Sequence, residues 1–192
     1  MKFIKSHIKH IIILIIVAYI FYYYFISIKY ITSTTVEKPR IYTITIEKLQ
    51  NEVKSINSQL TIKDVFNNLT DDIIDDIRSN PSDYRLVIVP FKFENKSKHR
   101  SIYDIKIEPH FSEKLKSNLI AYQDIIEING SSSNVYVPEK SYDYCCKEII
   151  LKSNGKSDEE LLKEIEETKY DVYGKVSNFT NYSRTHLLDT IE

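Results

Sequence analysis

Hydrophobic positions divide this chain into one long apolar block near the N-terminus and a series of short alternating or helix-periodic segments after it. The block "IIILIIVAYIFYYYFISI", residues 11–28, carries no charged side chain. As a helix it reaches about 27 Å at roughly 1.5 Å per residue, just long enough to span a bilayer. Lys2, Lys5 and Lys9 precede it, and Tyr22, Tyr23 and Tyr24 lie toward its far end. Positive-inside bias and an interfacial aromatic belt then place residues 1–10 in the cytoplasm and the rest of the chain outside it. The apolar core is long for a cleaved signal peptide, and no small-x-small site follows it. No cysteine lies near residue 25 to carry a lipid. An uncleaved signal anchor is therefore the expectation.

Residues 29–40, "KYITSTTVEKPR", are polar and Thr-rich and read as a flexible tether, reaching roughly 20 Å as a random coil. "IYTITIE" (41–47) alternates like a half-buried strand. "TIKDVFNNLTDDIIDDIRSNP" predicts one helix, opened by Thr61 and Asp64 as a capping box, with Ile62, Val65, Phe66, Leu69, Ile73 and Ile77 inward and Pro81 at its end. The apolar run 86–89 predicts a strand buried on both faces, with Pro90 ending its regular pairing. Residues 109–122 read as a helix with Pro109 in its first turn and Phe111, Leu115, Leu119 and Tyr122 inward. "DIIEING" (124–130) reads as a short strand and 131–155 as a largely irregular excursion containing "CCKEIIL". Ser157 caps a helix with Leu161, Leu162 and Ile165 inward, and 169–181 alternates as a closing strand. The order of strands and helices predicts an α/β fold, a mixed sheet with helices packed on it, preceded by one N-terminal transmembrane helix. The expected domains are a cytoplasmic stretch 1–10, an anchor 11–28, a tether 29–40 and an extracytoplasmic α/β domain 41–192.

Charge narrows the function classes. The 26 basic and 27 acidic residues nearly cancel, so no global field draws nucleic acid or an acidic substrate. Cys145 and Cys146 are the only cysteines, and adjacent thiols do not supply the four ligands of a structural zinc. His7, His10, His99, His110 and His186 are scattered, with no serine or cysteine nucleophile motif beside any of them. Asp71, Asp72, Asp75 and Asp76 read as a solvated helix face. Gly130, Gly155 and Gly174 are too far apart for a phosphate loop. Sequons at Asn68, Asn95, Asn129, Asn178 and Asn181 read as chance in an Asn-rich chain. The residues thus suggest no catalytic, metal or cofactor site. A small basic loop at 97–100, with Lys92 and Lys96 beside it, is a candidate contact surface.

"RLVIVPFKFENKS", "HFSEKLKSNLI" followed by "DIIEING", and "DEELLKEIEETKYDVYGKV" together resemble the LpoB-type penicillin-binding-protein activators and the related CsgG and TolB-like domains, over about residues 60–179. The resemblance implies a non-enzymatic envelope protein that binds and regulates a peptidoglycan synthase, without a cofactor. Its alternatives are a CsgG-like secretion or assembly component that self-associates, or a shortened member without activity of its own. Two features depart from the family: no lipid-bearing cysteine is present, and residues 182–192 leave little room for the strands expected after the glycine-containing one. An edge strand at 169–181 would then be open to strand addition. Lys92, Lys96, Arg100, Tyr170, Tyr173 and Lys175 are the candidate partner-binding residues.

Overall fold

The structure is a computed structural model that describes residues 2–22, 32–56, 59, 61–97, 100–123, 127–128, 135–136, 142–176 and 185–191. Helix α1 (Lys2–Phe21) is followed by strands β1 (Thr32–Val36) and β2 (Arg40–Thr43). Then come helices α2 (Ile46–Ile56) and α3 (Ile62–Val65), strand β3 (Phe66–Asn67) and helix α4 (Asp71–Ser79). A 3-10 turn (Pro81–Asp83) leads into the long strands β4 (Tyr84–Asn95) and β5 (Ile102–His110). The short helix α5 (Glu113–Lys116) precedes β6 (Leu119–Gln123), β7 (Glu127–Ile128), β8 (Val135–Tyr136) and β9 (Tyr142–Lys152). Helix α6 (Asp158–Glu166) and strands β10 (Lys169–Val176) and β11 (Thr185–Ile191) complete the described chain.

The strands form two sheets. The larger has the order β1-β4-β9-β6-β3, with β2 continuing along β4 and β7 along β9; the smaller has the order β11-β10-β5-β8. Alternation along β4 explains how they stack, because successive side chains leave a strand on opposite faces. Val87, Val89, Phe91 and Phe93 point into the space between the sheets, where they meet Ile107, Ile149, Val172 and Leu188. Leu86 and, from β9, Ile150 point the other way, onto Leu49 of α2, Ile62 of α3 and Ile77 of α4. The result is three layers: helices, large sheet, small sheet. Leu161 and Ile165 of α6, with Leu115 of α5, complete the core between the sheets.

All nine described pairings are antiparallel, which corrects the expected mixed sheet. A strand–helix–strand unit forces parallel pairing only when the helix returns to the same sheet. Here α6 leaves β9 in the large sheet and delivers β10 to the small one. The expected membrane-spanning helix over 11–28 is also revised. Helix α1 begins at Lys2, its charge-free part covers 11–21, and residues 23–31 lie outside the described residues. That part reaches about 16 Å of a hydrocarbon core of ~30 Å. Among the described residues no helix is long and apolar enough to cross a membrane.

Other differences have local causes. The tether 29–40 is not loose along its length: Thr32–Val36 pairs with the far half of β4 and Arg40 opens β2. The strand expected at 41–47 ends at Thr43, and Ile46 already belongs to α2. The single helix expected over 61–81 is two, because Asn68 takes a left-handed conformation (φ 67°) and Thr70 caps α4 through Ile73 N. The buried positions Ile62, Val65, Phe66, Leu69 and Ile77 are nonetheless those expected, with Ile74 buried in place of Ile73. The helix expected over 109–122 shrinks to α5: Pro109 sits in β5, and Leu119–Gln123 pairs with β9 as a strand. The supposed excursion 131–155 contains β9, which is central to the large sheet.

Pro90 does not end β4. Its carbonyl accepts from Glu37 N at 2.9 Å, so its nitrogen faces the same edge, where β2 has stopped at the Ile88 register and β1 has yet to begin at Phe91. The missing N–H falls in the gap between two partner strands. Cys145 faces the core and its neighbour Cys146 the opposite side of β9, so no disulfide joins the two adjacent thiols.

Gly174 is required by packing. A Cβ at this position would stand 2.7 Å from Leu188 Cδ1 and 3.3 Å from Ile102 Cγ2, both in the buried core. Gly174→Ala should therefore cost about 1–3 kcal/mol by overpacking, read as a lower urea midpoint. A midpoint at or above wild type would show that Leu188 can move aside freely.

Helix α4 is tied to the large sheet through Asp76, which accepts from the Tyr84 hydroxyl, from Lys152 Nζ at 2.9 Å and from Asn80 Nδ2 at 2.7 Å. The Tyr84 bond foremost, then those from Lys152 and Asn80, hold the carboxyl down to about 2. Its folded value lies below the unfolded one of about 3.9. The ion therefore stabilises the fold above pH ~4, and that contribution disappears as the pH falls toward 2. Acid titration of wild type beside Asp76→Asn should show a stability gap at pH 6 that closes by pH 2; a gap independent of pH would refute the linkage.

Candidate functional site

The six residues singled out from sequence do not converge. Lys92 is half-buried on β4, on the face away from Phe91 and Phe93, and Lys96 is exposed just beyond that strand. Arg100 is buried at 4% exposure. Its loop is closed by Asn95 Nδ2 donating to the Arg100 carbonyl (2.8 Å), Ser97 N to Asn95 Oδ1 (2.9 Å) and Arg100 N to Ser97 Oγ (3.0 Å). Lys98 and His99 lie outside the described residues, as do the sequon asparagines Asn129, Asn178 and Asn181. Tyr170 is also buried, 2% exposed, its ring edge-on to Phe91 at 4.9 Å between centroids. Neither Arg100 nor Tyr170 is on a contact surface, which corrects their nomination.

Tyr173 and Lys175 are on the outer face of the small sheet, because they alternate with the inward Val172, Gly174 and Val176. The nominated edge strand is interior: β10 pairs with β5 on one side and β11 on the other. Residues 182–192, expected to have little room for a further pair of strands, supply one described strand, β11, at Thr185–Ile191. Strand addition to β10 is therefore closed, and the outer face of this sheet is what the fold presents.

Register brings a polar cluster together there. Asp171 stands opposite Glu108 and Thr190, Tyr173 opposite Lys106 and Leu187, and Lys169 opposite His110. His110 Nε2 lies 2.8 Å from Asp171 Oδ2, Thr190 Oγ1 donates to Asp171 Oδ1 at 2.8 Å, and the Tyr173 hydroxyl reaches Asp171 at 3.4 Å. The bond to His110 first, then that from Thr190, keeps the Asp171 carboxyl below its ordinary range, so it is anionic at neutral pH. Partial burial, with Asp171 and Glu108 nearby, pushes the Tyr173 phenol up. Lys175 Nζ meets Asp104 at 2.7 Å, which raises its pKa, and Lys106 meets Glu108 at 2.7 Å. Leu187 stands beside them with 43% of its surface exposed.

This face offers fixed charges of both signs around one apolar side chain, an arrangement suited to recognising a surface. Asp171 is already occupied as an acceptor. Among the described residues no three His, Cys, Asp or Glu side chains gather as a metal site. The sequence reading nominated Tyr173 and Lys175, which lie on this face, and did not nominate His110, Asp171 or Leu187. Period-two alternation from Tyr173 would have included Asp171 and excluded Tyr170; pairing with β5 and β11 could not be read from one strand. No protein-family model matches this chain, and no curated protein matches it in sequence.

Proposed function

We propose that this protein is a membrane-seated, non-enzymatic binding domain that docks an envelope partner on the outer face of its small sheet. The observation that carries the reading is the solvent-facing cluster of His110, Asp171, Tyr173 and Lys175 around exposed Leu187. Membrane seating rests on α1 and the apolar residues that follow it in sequence. Every described side chain of that helix is exposed, Leu14 at 67% and Ile15 at 62% among them. Apolar surface of that extent needs a nonaqueous neighbour. The lysines at positions 2, 5 and 9 suit anionic lipid headgroups beside that apolar surface, and the resemblance places the sheets in the cell envelope. The resemblance stated above supplies the partner class, a peptidoglycan synthase that the domain regulates by contact.

A photo-crosslinking residue at Tyr173 in the full chain, activated in cells, tests this. Capture of a cell-wall synthase, lost on Leu187→Arg while the melting midpoint holds, is the expected result. Capture of only this same chain would replace the reading with a self-assembling secretion component. Equal capture from a probe at exposed Glu159 of α6 would remove the small sheet from the interface.

A further inference from the structure

We infer that Asp189 is a positioning residue that couples the docking face to β1, so that the seating of β1 against β11 sets how Asp171 is presented on the outer face. This rests on the docking role proposed above for that face, and its test is read on the protein without a partner.

The link begins at an edge of the large sheet. β1 pairs with β4 on one side, and in an antiparallel ladder alternate residues turn their N–H groups away from the partner strand. Thr34 is one of these: its N–H donates across to Asp189 Oδ2 at 3.0 Å, while Thr32 Oγ1 donates to the Leu188 carbonyl at 3.2 Å. The β10–β11 register brings Asp189 to this side. It pairs Val172 with Asp189 and Tyr173 with Leu187, passing over Leu188, and an extra residue of this kind re-aims the side chains beside it. Leu188 and Asp189 both turn toward the interior and β1, while Leu187 and Thr190 stay outside.

From Asp189 the link passes to the outer face. Its Oδ1 accepts from the Thr190 amide at 3.0 Å, and Thr190 Oγ1 donates to Asp171 Oδ1 at 2.8 Å. Asp171 Oδ2 is left for His110 and Tyr173. Each Asp189 oxygen thus holds one backbone amide, one in each sheet, and hydrogen bonds to a carboxylate are roughly twice as strong as neutral ones. Releasing β1 removes one of the two and loosens the backbone that aims the Thr190 hydroxyl. By linkage, a partner that fixes Asp171 in turn holds β1 on β11. His110, Glu108 and Lys106 of β5, Lys169 and Tyr173 of β10 and Thr190 of β11 surround the Asp171 carboxyl. The bond to His110 first, then that from Thr190, holds it below its ordinary range, so its titration reports whether Thr190 is in place.

Carbon-13 NMR titration of the Asp171 carboxyl, in the full chain in detergent micelles, tests the coupling. Thr190→Val, at an exposed position, should raise the midpoint, and Thr190→Ser should restore it. Asp189→Ala should raise it too, although Asp189 stands opposite Val172 and not Asp171. Loss of a negative charge would by itself lower the midpoint, so the sign separates the relay from a field effect. Thr34→Pro should act in the same direction, because it removes an N–H that lies outside the β1–β4 ladder. If Thr34→Pro loses stability, Asp189→Asn, which keeps one acceptor oxygen, serves the same comparison. An unchanged or lowered midpoint in Asp189→Ala beside a raised one in Thr190→Val would overturn the coupling, as would an unchanged midpoint in Thr190→Val. The expected shifts without capture from the Tyr173 probe would fault the docking role alone.

Discussion

Phe91→Ala is expected to lower stability by about 3–5 kcal/mol, the usual cost of removing a buried aromatic ring. Phe91 has no exposed surface and lies at the centre of the core between the sheets. It faces the Tyr170 ring at an interplanar angle of 81°, an edge-on contact worth about 0.5–1.5 kcal/mol beyond area alone. Its backbone register holds β1 on one side, through Val36, and β9 on the other, through Cys145. Little can collapse into the space, because each neighbour is fixed by a ladder. Phe91→Leu, which keeps much of the volume, should cost less than half as much. The comparison is a pair of urea unfolding curves; equal midpoints for wild type and Phe91→Ala would mean that the two sheets are not packed as described.

Deleting residues 185–191 should abolish cooperative folding of the sheet pair. Leu188 is 2% exposed, and its loss alone should cost about 2–5 kcal/mol, as for other buried leucines. The deletion also unpairs one whole side of β10 and removes the acceptors of Thr32 Oγ1 and Thr34 N, namely Leu188 O and Asp189 Oδ2. Those two bonds join the edges of the large and small sheets, so the damage spreads beyond one strand. Near-ultraviolet circular dichroism of the full chain and the deletion should differ by loss of the tertiary signal, and Leu188→Ala should fall between them. A deletion that unfolds at the wild-type urea midpoint would place β11 outside the folding unit. A truncation that ended before Tyr170 would therefore confuse loss of a contact surface with loss of the fold, which is why single outward substitutions such as Leu187→Arg are the better probe of partner binding.

Local rules located much of this architecture. The Ser157–Glu160 capping box, with three acids in the first turn, specifies α6. The alternation of 169–176 specifies β10, and the run at 86–89 marks a strand covered on both faces. Each signal is carried by neighbours within one or two turns, where spacing and burial are the same statement. Residues 66–67 and 119–123 show where that equivalence ends. Their apolar spacing suits a helix as well as a strand, and β3 and β6 exist because each finds the other, and β9, to pair with.

The candidate sites depended still more on distant contacts. Tyr170, Tyr173 and Lys175 look alike along the chain, yet alternation sends the first into the core and the others to the surface. His110 reaches Asp171 only because β5 pairs with β10 across 61 positions of sequence. By itself the sequence determined the apolar N-terminal segment, the starts of α3 and α6, the alternation of β10 and the absence of a dominant net charge, because these depend on local spacing and composition. Only the tertiary structure decided that all described pairing is antiparallel, that β11 closes β10, and which hydroxyls and charges meet. Those outcomes rest on pairings between segments far apart in the chain, whose energies no local pattern records.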